Sequence, residues 1–458
     1  MNELVVETLF FILFLSAVRG VGSIHLQQAA VVAASCLIYA YKTSLHDLFY
    51  LFVFTQICFL GLRSLQAEAD LRTRRIKWAL LLLVTIGHLI FLKASDQPSP
   101  PGISYLTLQI VGIQIWAYFR KSEAPIPWVK FNFSALFFPS LITGPVLRYE
   151  RIAPQLASAH PPAREAQSAL RSAFVLVCFG LFKKTIGDQL GLHLTSESSP
   201  QSAQGWYALV AIVAFYLQLY ADFSGYSDIA RGLARAYGIE IPANFNLPFY
   251  AANITEHWKR WHISLNEWFR DHVFTWLFAS NYLKVTRYIP GISMTAYLAG
   301  SILTTCLLIG AWHGLSFKFF VWSLLNGVLI LLHQGLFVRL RFGGVAFKTA
   351  SIVTTFLLTC FLNALFMDLQ IDEVVRLILS SLNPDHYILP FIRDRVMVGY
   401  TVILLGFALF GVHELDRQLI KRDYRIESHF LFLLITTLTL TYCLASGAIR
   451  QAFLYSRF

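Results

Sequence analysis

Charged residues are scarce in this sequence. Only 14% of its 458 residues are Asp, Glu, Lys or Arg and 56% are hydrophobic, whereas a soluble globular protein has about 25% charged residues. Because the deficit runs through the whole length, the chain is predicted to be an integral membrane protein that folds as one domain over residues 1–458. Its net charge of +11 fits the lysines and arginines that collect on cytoplasmic loops, so nucleic acid is not expected as a partner.

Cysteine motifs and the signatures of several large enzyme classes are also missing. The six cysteines form neither a CxxC pair nor a Cys/His cluster, so neither a disulfide framework nor a metal site is expected. The sequence has no P-loop, GxSxG or HExxH motif and no GxGxxG motif after a strand. These absences argue against nucleotide hydrolysis, serine-hydrolase chemistry and zinc proteolysis.

Long apolar segments supply the architecture. A spanning helix needs about 20 mostly apolar residues, and about eleven or twelve segments qualify, which predicts an all-α polytopic membrane protein. The N-terminal segment lacks the basic region and cleavage site of a signal peptide, so it is predicted to be the first span. The predicted spans are 5–22, 26–42, 46–63, 76–94, 103–120, 169–187, 205–224, 296–312, 315–337, 349–367, 397–415 and 429–447.

Loop charges give the orientation. The turn at 63–77 carries five basic residues and is predicted to be cytoplasmic, which places the N-terminus outside. The stretches 95–101 and 188–204 contain no Lys or Arg and therefore suit the outer side of the membrane. Both can lie outside only if an odd number of the candidate segments between them does not cross the membrane. The segment 131–146 contains two prolines and a glycine, and a helix broken in this way must be buried in protein or line a cavity. It is predicted to be re-entrant.

A long irregular region follows the predicted span that ends at residue 224. Asp222 and Asp228 close that span, and they are expected to pair with arginines in a structural role, the candidates being Arg231, Arg235 and Arg260. The sequence from there to residue 250 is too polar to span and too aromatic for a free loop, so it is predicted to form an interfacial helix and loop.

A helix is predicted to begin at the capping box of Asn253 and Glu256. Helical spacing gives this helix two different faces. The first face is apolar and carries Trp258, Trp261, Leu265 and Trp268. The second face is polar and carries His262, Asn266 and Arg270.

Two histidines have the strongest functional signal. His313 lies in the sequence GAWHG, inside apolar sequence on both sides, and His262 follows a tryptophan in the polar-aromatic stretch. Each could be a structural histidine that is hydrogen-bonded to a neighbouring helix. Ionisable groups inside spans are costly, however, and tend to mark substrate paths or proton relays. A neutral imidazole can take a proton from a hydroxyl near neutral pH. His257 and His272 are expected to face a partner or solvent.

The motifs around these histidines resemble a known family. DFSGYSDIARGLARAYGIEIPANFNLPFY, WKRWHISLNEWFRD and GAWHG occur in this order and are similar to motifs of the membrane-bound O-acyltransferases. The similar branch is the bacterial one, with alginate O-acetyltransferase and the D-alanyl-transfer protein of teichoic acid modification. Upstream matches in GISY and FFPSLITGPVLRYERI extend the resemblance over about residues 100–337.

The resemblance implies a fold and a pair of catalytic residues. The fold is a bundle of about 11–12 transmembrane helices, with re-entrant and interfacial helices around a tunnel. His313 falls on the histidine of the family's WHG motif and is expected to be the base that deprotonates the acceptor hydroxyl. His262 falls on the histidine of the RWH motif and is expected to be a second polar group at the tunnel. Asn244, Asn246, Trp261 and Arg270 match family positions to which structural roles are assigned.

The resemblance also implies substrates, partners and a location. An acyl thioester, acetyl-CoA or an acyl carrier protein, is expected to enter from the cytoplasmic side as a substrate, with no bound cofactor. Its acyl group, acetyl in the preferred interpretation, is transferred towards hydroxyls of a cell-envelope polysaccharide. An extracytoplasmic SGNH-type transferase is the expected partner, and the bacterial inner membrane, with its lipids, is the expected location.

Two alternatives stay open at this point. The sequence HVFTWLF at 272–278 replaces the Gly- and Asn-rich loop of the alginate enzymes and is closer to the D-alanyl branch, so D-alanyl transfer from a carrier protein to teichoic-acid-like polymers is one alternative. The other is a non-enzymatic export or transport scaffold, which would be favoured by inverted repeats with a broken helix in both halves. The sequence shows one strongly broken segment.

Overall fold

The structure is a computed structural model that describes residues 3–383, apart from gaps at 19, 21, 96–97, 121–123, 158–162, 196–202, 290–291 and 338–343, and scattered residues between 406 and 442. Regular secondary structure in this part of the chain is helical throughout. The α-helices are α1 Glu3–Val18, α2 Ile24–Lys42, α3 Leu45–Ala67, α4 Leu71–Ala94, α5 Ile103–Phe119, α6 Trp128–Leu136, α7 Phe138–Leu141, α8 Tyr149–Ala157, α9 Ala163–Thr195, α10 Trp206–Tyr237, α11 Ile254–Trp258, α12 Ile263–Phe269, α13 Thr275–Tyr288, α14 Met294–His313, α15 Phe317–Leu332, α16 Val345–Asn363 and α17 Ile371–Leu382.

Among the described residues, seven helices are long and apolar enough to cross a membrane, which confirms the prediction of an all-α polytopic membrane protein. These helical segments are Ile24–Lys42, Leu45–Ala67, Leu71–Ala94, Trp206–Tyr237, Met294–His313, Phe317–Gly335 and Val345–Phe366, and each overlaps a predicted span. The predicted spans 397–415 and 429–447 lie largely outside the described residues. The predicted total of eleven or twelve spans therefore stays a prediction.

The predicted end of the span at residue 224 is wrong. α10 continues to Tyr237. Residues 225–237 therefore extend this helix and do not form a separate interfacial helix and loop. Polar side chains are tolerated there because they are paired within the protein. Asp228 and Arg231 form an ion pair at 3.2 Å, as predicted, and buried Arg235 pairs with a glutamate at 2.7 Å. Hydropathy alone misses this continuation, since it measures suitability for lipid rather than for a protein interior.

The chain forms two compact units, each made of separate stretches. The first comprises residues 1–181, 226–243 and 423–444, and the second comprises 182–225, 244–422 and 445–458. α9 and α10 contribute residues to both units. The single domain predicted over residues 1–458 stays a prediction.

In the first unit, the predicted broken segment 131–146 is indeed interrupted. α6 ends at Leu136 and α7 is only four residues long, so neither approaches the ~20 residues that a span needs. The turn before α5 lies against α7: Gly102 has φ 85°, and a Cβ there would lie 2.5 Å from the Leu141 carbonyl oxygen. The segment is buried in the unit, with Asn132 inaccessible. Its re-entrant course stays a prediction.

The second unit contains the polar-aromatic region and both histidines. α14 and α15 form a tightly packed hairpin, and α16 packs against α15. α11 contacts both α15 and α16, while a π-helical turn at Arg270–Phe274 packs against α14. The two ends of the segment from α11 to the π-helical turn therefore pack against the hairpin, and α11 also packs against α16.

Candidate active site

The close packing of α14 on α15 positions His313, which is the last residue of α14 and is buried. Gly310 permits this packing, since a Cβ there would lie 2.5 Å from Ser323 Oγ and 2.7 Å from the Phe319 carbonyl oxygen. A Cβ at Gly314 would lie 2.7 Å from the ring of Phe319. Both glycines of the GAWHG sequence are thus required by helix packing around the histidine.

Gly310→Ala is expected to lower activity by at least about tenfold and to lower the unfolding temperature. The added methyl group must push α15 away or shift the turn that carries His313, and a 1 Å misplacement can cost about 100-fold in rate. Gly300 lies on the same helix with no atom within 4 Å of an added Cβ, so Gly300→Ala is the matched control and should leave both quantities nearly unchanged. Equal activity of the two variants would contradict this account of the packing.

Aromatic rings enclose the imidazole of His313. Its ring centroid lies 4.9 Å from that of Trp312, 5.3 Å from Trp322, 5.0 Å from Phe366 and 6.0 Å from Phe319. Three of these rings meet the imidazole at steep angles between 69° and 89°. The cage limits the orientations of the imidazole and excludes bulk water from it.

A kink in the backbone positions His262. The predicted continuous helix from residue 253 onwards is wrong: α11 ends at Trp258, α12 begins at Ile263, and His262 between them has φ 45° and ψ 50°. This left-handed conformation is uncommon for a residue with a side chain and costs of order 1–3 kcal/mol. Such conformations persist where the surroundings over-determine them, and they cluster at functional sites.

Three asparagines hold the kink. Asn244 accepts the Ile263 N–H through its carbonyl oxygen at 2.9 Å, and its side chain accepts from Ser264. The Asn246 N–H donates to the Arg260 carbonyl at 2.9 Å. Asn266 donates from Nδ2 to the carbonyl oxygens of Trp258 and Trp261. The structural role predicted for Asn244 and Asn246 thus has a physical basis, namely capping and closing the turn that presents His262.

Burial keeps the imidazole of His262 neutral. The side chain is enclosed, with its ring centroid 4.7 Å from that of Phe223 and 6.2 Å from that of Trp312. Because burial disfavours the charged form, the pKa of His262 is lowered to about 3. Burial lowers the pKa of His257 to about 3 as well. At neutral pH both imidazoles are therefore uncharged.

Acid is expected to destabilise the protein through these two histidines. In the unfolded chain they protonate near pH 6.5, whereas in the fold they resist protonation down to about pH 3. The contribution of the two neutral imidazoles to the free energy of unfolding is therefore fully present above about pH 6.5. It falls as the pH drops towards 3, by up to about 1.4 kcal/mol per pH unit for each histidine. Thermal unfolding in nanodiscs between pH 7.5 and 4.5 measures this slope. His257→Phe should reduce this slope by up to about 1.4 kcal/mol per pH unit, the contribution of one histidine, and an unchanged slope would contradict the assignment.

His262 and His313 line the same small cavity. Its volume is ≈ 10 Å³, about the space of one water molecule. The cavity is lined by Leu219, Trp258, Trp261, His262, Leu265, Asn266, Ile309, His313, Trp322, Asn363 and Phe366. We call it the histidine cavity. The structure therefore brings together the two histidines that the sequence singled out.

A larger cavity of ≈ 390 Å³ adjoins the histidine cavity and shares four lining residues with it, Trp258, Asn266, Ile309 and Trp322. We call it the outer cavity, a name that does not refer to a side of the membrane. Its wall is largely apolar, and its polar lining includes Lys259 and Arg270, both exposed. Arg270 thus lines the outer cavity rather than lying beside His262. Another cavity of ≈ 780 Å³, between α15 and α16, shares no lining residue with the histidine cavity.

The prediction for His257 is wrong. Its side chain does not face a partner or solvent but is buried, and its ring stacks on Trp261 at 5.6 Å. His272 is half-buried, stacks on Trp268 at 4.8 Å and contacts the Trp268 carbonyl oxygen through Nδ1 at 3.0 Å. Neither histidine lines the histidine cavity.

A buried ionic cluster was not predicted by the sequence reasoning. Lys184 pairs with Asp222 at 2.7 Å and also with Asp188, and all three side chains are at most 4% exposed. The predicted arginine partners of Asp222 are therefore wrong. α9 extends to Thr195, so Asp188 is helical rather than part of an outer loop. The signal was available, because a lysine inside an apolar segment calls for a nearby carboxylate.

Comparison with protein families gives one match that covers more than half of the chain. Residues 122–367 match the model of the membrane-bound O-acyltransferase family. The matched region contains both histidines, the kink and the whole α14–α15 hairpin. It begins later and ends later than the stretch of resemblance at about residues 100–337.

Curated relatives include proteins of three kinds. A probable alginate O-acetylase of Pseudomonas aeruginosa is 32% identical over 52% of this chain and 44% of its own length. A peptidoglycan O-acetyltransferase of Helicobacter pylori is 29% identical over 43% of this chain and 36% of its own. A teichoic acid D-alanyltransferase of Bacillus subtilis is 28% identical over 50% of this chain and 57% of its own. The chain thus spans about half the length of these relatives or less.

Proposed function

This chain belongs to the membrane-bound O-acyltransferase family, as its motifs predicted, and we propose that it transfers a short acyl group, acetyl, from a thioester donor towards hydroxyls of a cell-envelope polysaccharide. One observation carries the proposal: His262 and His313 line one cavity, and that cavity adjoins a larger one with basic residues in its lining. Membership of an acyltransferase family favours the enzyme over a transport scaffold.

In this proposal His313 is the general base. Its neutral imidazole accepts the proton of the acceptor hydroxyl while that oxygen attacks the carbonyl carbon of the thioester. The new C–O ester bond forms, the C–S bond breaks, and the proton passes from the imidazolium to the departing thiolate, so that a free thiol is released. The aromatic cage keeps water from competing with the acceptor hydroxyl. General-base assistance of this kind contributes about 100- to 10,000-fold.

His262 is the second polar group of the cavity. Its pKa of about 3 leaves it neutral throughout the reaction, so it acts through hydrogen bonding rather than as a charge. A neutral imidazole can orient the acceptor hydroxyl or the thioester carbonyl towards His313. The strained backbone at His262 fixes its direction, which is the property required of a positioning group.

The outer cavity is the proposed binding site for the thioester arm of the donor. Its volume of ≈ 390 Å³ and largely apolar wall suit an extended pantetheine chain, which is carried by both acetyl-CoA and an acyl carrier protein. Exposed Lys259 suits a phosphate group at the other end of that chain, whereas Arg270 is paired with Asp271 at 2.7 Å. The cavity between α15 and α16 is a poorer candidate because it does not adjoin the histidines.

The direction of transfer and the partner belong to the same proposal. The donor enters from the cytoplasm, and an SGNH-type transferase outside the membrane passes the acyl group to the polymer. The bacterial inner membrane is the proposed location, since only there do a cytoplasmic thioester and an envelope acceptor face the same membrane. The relatives named as an alginate O-acetylase and a peptidoglycan O-acetyltransferase support an acetyl group and a polysaccharide acceptor.

D-Alanyl transfer is the second candidate. The relative named as a teichoic acid D-alanyltransferase aligns over 57% of its own length, a larger share than either acetylating relative. The segment 272–278, HVFTWLF, is also closer in character to that branch. The histidine chemistry would be the same, and only the donor and acceptor would differ.

Inside-out membrane vesicles from the native host test the proposal, because they expose the cytoplasmic face and retain the acceptor and any partner. Radiolabelled acetyl-CoA, or D-alanine with its carrier protein and ligase, is supplied to vesicles with and without this chain. The proposal is supported if base-labile acetyl label appears in the polymer only in the vesicles that contain the chain. Incorporation of D-alanine instead would establish the second candidate. No chain-dependent label from either donor would refute both.

A further inference from the structure

A thin wall separates the outer cavity from the histidine cavity. Trp258, Asn266, Ile309 and Trp322 line both cavities, and we call these four residues the partition. A thioester that extends from the outer cavity must pass its acyl group across the partition to reach His313. The partition therefore determines which acyl chains can enter the histidine cavity together with the thioester carbonyl.

Hydrogen bonds fix the partition in place. The Trp258 indole Nε1 donates to Asn326 Oδ1 at 3.1 Å, and Asn326 Nδ2 donates to the Trp322 carbonyl oxygen at 2.8 Å. Asn326 is only 3% exposed, and a buried amide is costly unless it is hydrogen-bonded. The two indoles meet edge to face, with centroids 5.6 Å apart. The position of the Trp258 ring is thus specified by one buried asparagine.

The other side of the partition is fixed as well. Asn266 donates to the backbone carbonyls of Trp258 and Trp261, which precede the kink at His262, and Ile309 lies one turn before His313 on α14. The space behind the partition is ≈ 10 Å³ and is bounded by the rings around His313. Little room is left for more than the methyl group of an acetyl chain.

We propose that the partition, with Trp258 held by Asn326, sets the acyl length by admitting acetyl and rejecting longer chains. This rests on the function proposed above and adds the residues that select the acyl group. In an apolar pocket each methylene that does not fit is worth about 10- to 200-fold in discrimination. Rejection acts at the partition because the Trp258 indole cannot withdraw without breaking its hydrogen bond to Asn326.

Two substitutions relax the partition in different ways. Ile309→Ala shortens a partition side chain directly, and Asn326→Leu keeps the side-chain volume while removing the acceptor that holds the Trp258 indole. Ile302 is the matched control for Ile309. It lies two turns before Ile309 on α14, and it lines the outer cavity but not the histidine cavity. Ile302→Ala enlarges the donor site by the same amount without touching the partition.

The experiment supplies labelled acetyl-, propionyl- and butyryl-CoA to the inside-out vesicles and measures base-labile acyl groups together with thiol release. Wild type should transfer acetyl and lose at least about tenfold for each added methylene. In Ile309→Ala and Asn326→Leu the ratio of butyryl to acetyl transfer should rise at least about tenfold, while Ile302→Ala keeps the wild-type ratio.

The outcomes separate this inference from the proposed function. If wild type transfers acetyl but the two partition variants keep its chain-length ratio, the partition does not select the acyl group and the inference fails alone. It also fails alone if Ile302→Ala changes the ratio as much as the partition variants do. If wild type transfers acetyl neither from acetyl-CoA nor from an acetylated acyl carrier protein, the acetyl-transfer proposal fails and the inference fails with it.

Discussion

Replacing His313 by glutamine is expected to lower acyl transfer by about 100- to 10,000-fold, the range that general-base assistance contributes. Glutamine keeps a polar side chain of similar length in the aromatic cage but cannot accept the hydroxyl proton at neutral pH. The imidazole is surrounded by four aromatic rings, and none of these rings can accept the hydroxyl proton. Initial rates of transfer in vesicles that contain equal amounts of folded protein measure the effect.

The comparison with two other histidines makes this result specific. His262→Gln should lower the rate less than His313→Gln, because glutamine can still hydrogen-bond to a substrate from the kink. His272→Gln should leave the rate within a few fold of wild type, since His272 lies outside the histidine cavity. A larger loss for His262→Gln than for His313→Gln would reverse the assignment of the base.

Replacing Lys184 by methionine is expected to destabilise the protein by about 3–5 kcal/mol, the cost of removing one partner from a buried ion pair. The carboxylates of Asp188 and Asp222 would then lose the ammonium group with which both are paired, at sites no more than 4% exposed. The backbones that carry these groups are closely packed, since a Cβ at Gly187 would lie 3.0 Å from the Asp222 nitrogen. A large drop in the unfolding temperature in nanodiscs is the expected result.

Two further variants show whether charge is the cause. Removing the carboxylates in the same chain, with Asp188→Asn and Asp222→Asn added to Lys184→Met, should recover most of the loss, because a fully neutral cluster leaves no unpaired charge. Arg376→Met breaks a pair with Asp372 in which both side chains are more than half exposed and should change the unfolding temperature little. If the triple variant is no more stable than Lys184→Met, the loss comes from packing and not from charge.

Much of the architecture could be predicted because lipid imposes a simple rule on sequence. Helices that face lipid must be apolar over ~20 residues, so α2 to α5 and α14 to α16 follow from hydropathy within several residues. The rule fails where polar groups are buried in protein. α10 runs past its predicted end because Asp228 and Arg231 satisfy each other within the fold.

The two histidines of the candidate site could be predicted from the sequence, but the geometry of the site could not. His262 and His313 could be identified from their polar-aromatic settings, and the structure places both at one cavity. Helical spacing could not reveal the kink at His262, because that turn depends on Asn244, which lies well before it in the chain and accepts the Ile263 N–H. The Trp258–Asn326 hydrogen bond likewise joins residues 68 positions apart, beyond the reach of any local pattern.

The central claim is that His313 in this cavity is the base for transfer of acetyl groups towards envelope hydroxyls. Its most direct test is mass spectrometry of the acyl groups that mild base releases from the cell envelope. Cells lacking the chain are complemented with wild type or with His313→Gln at equal protein levels. The account predicts that acetate is released from cells with wild type and falls to the level of uncomplemented cells with His313→Gln. Equal release of acetate from both strains would contradict it.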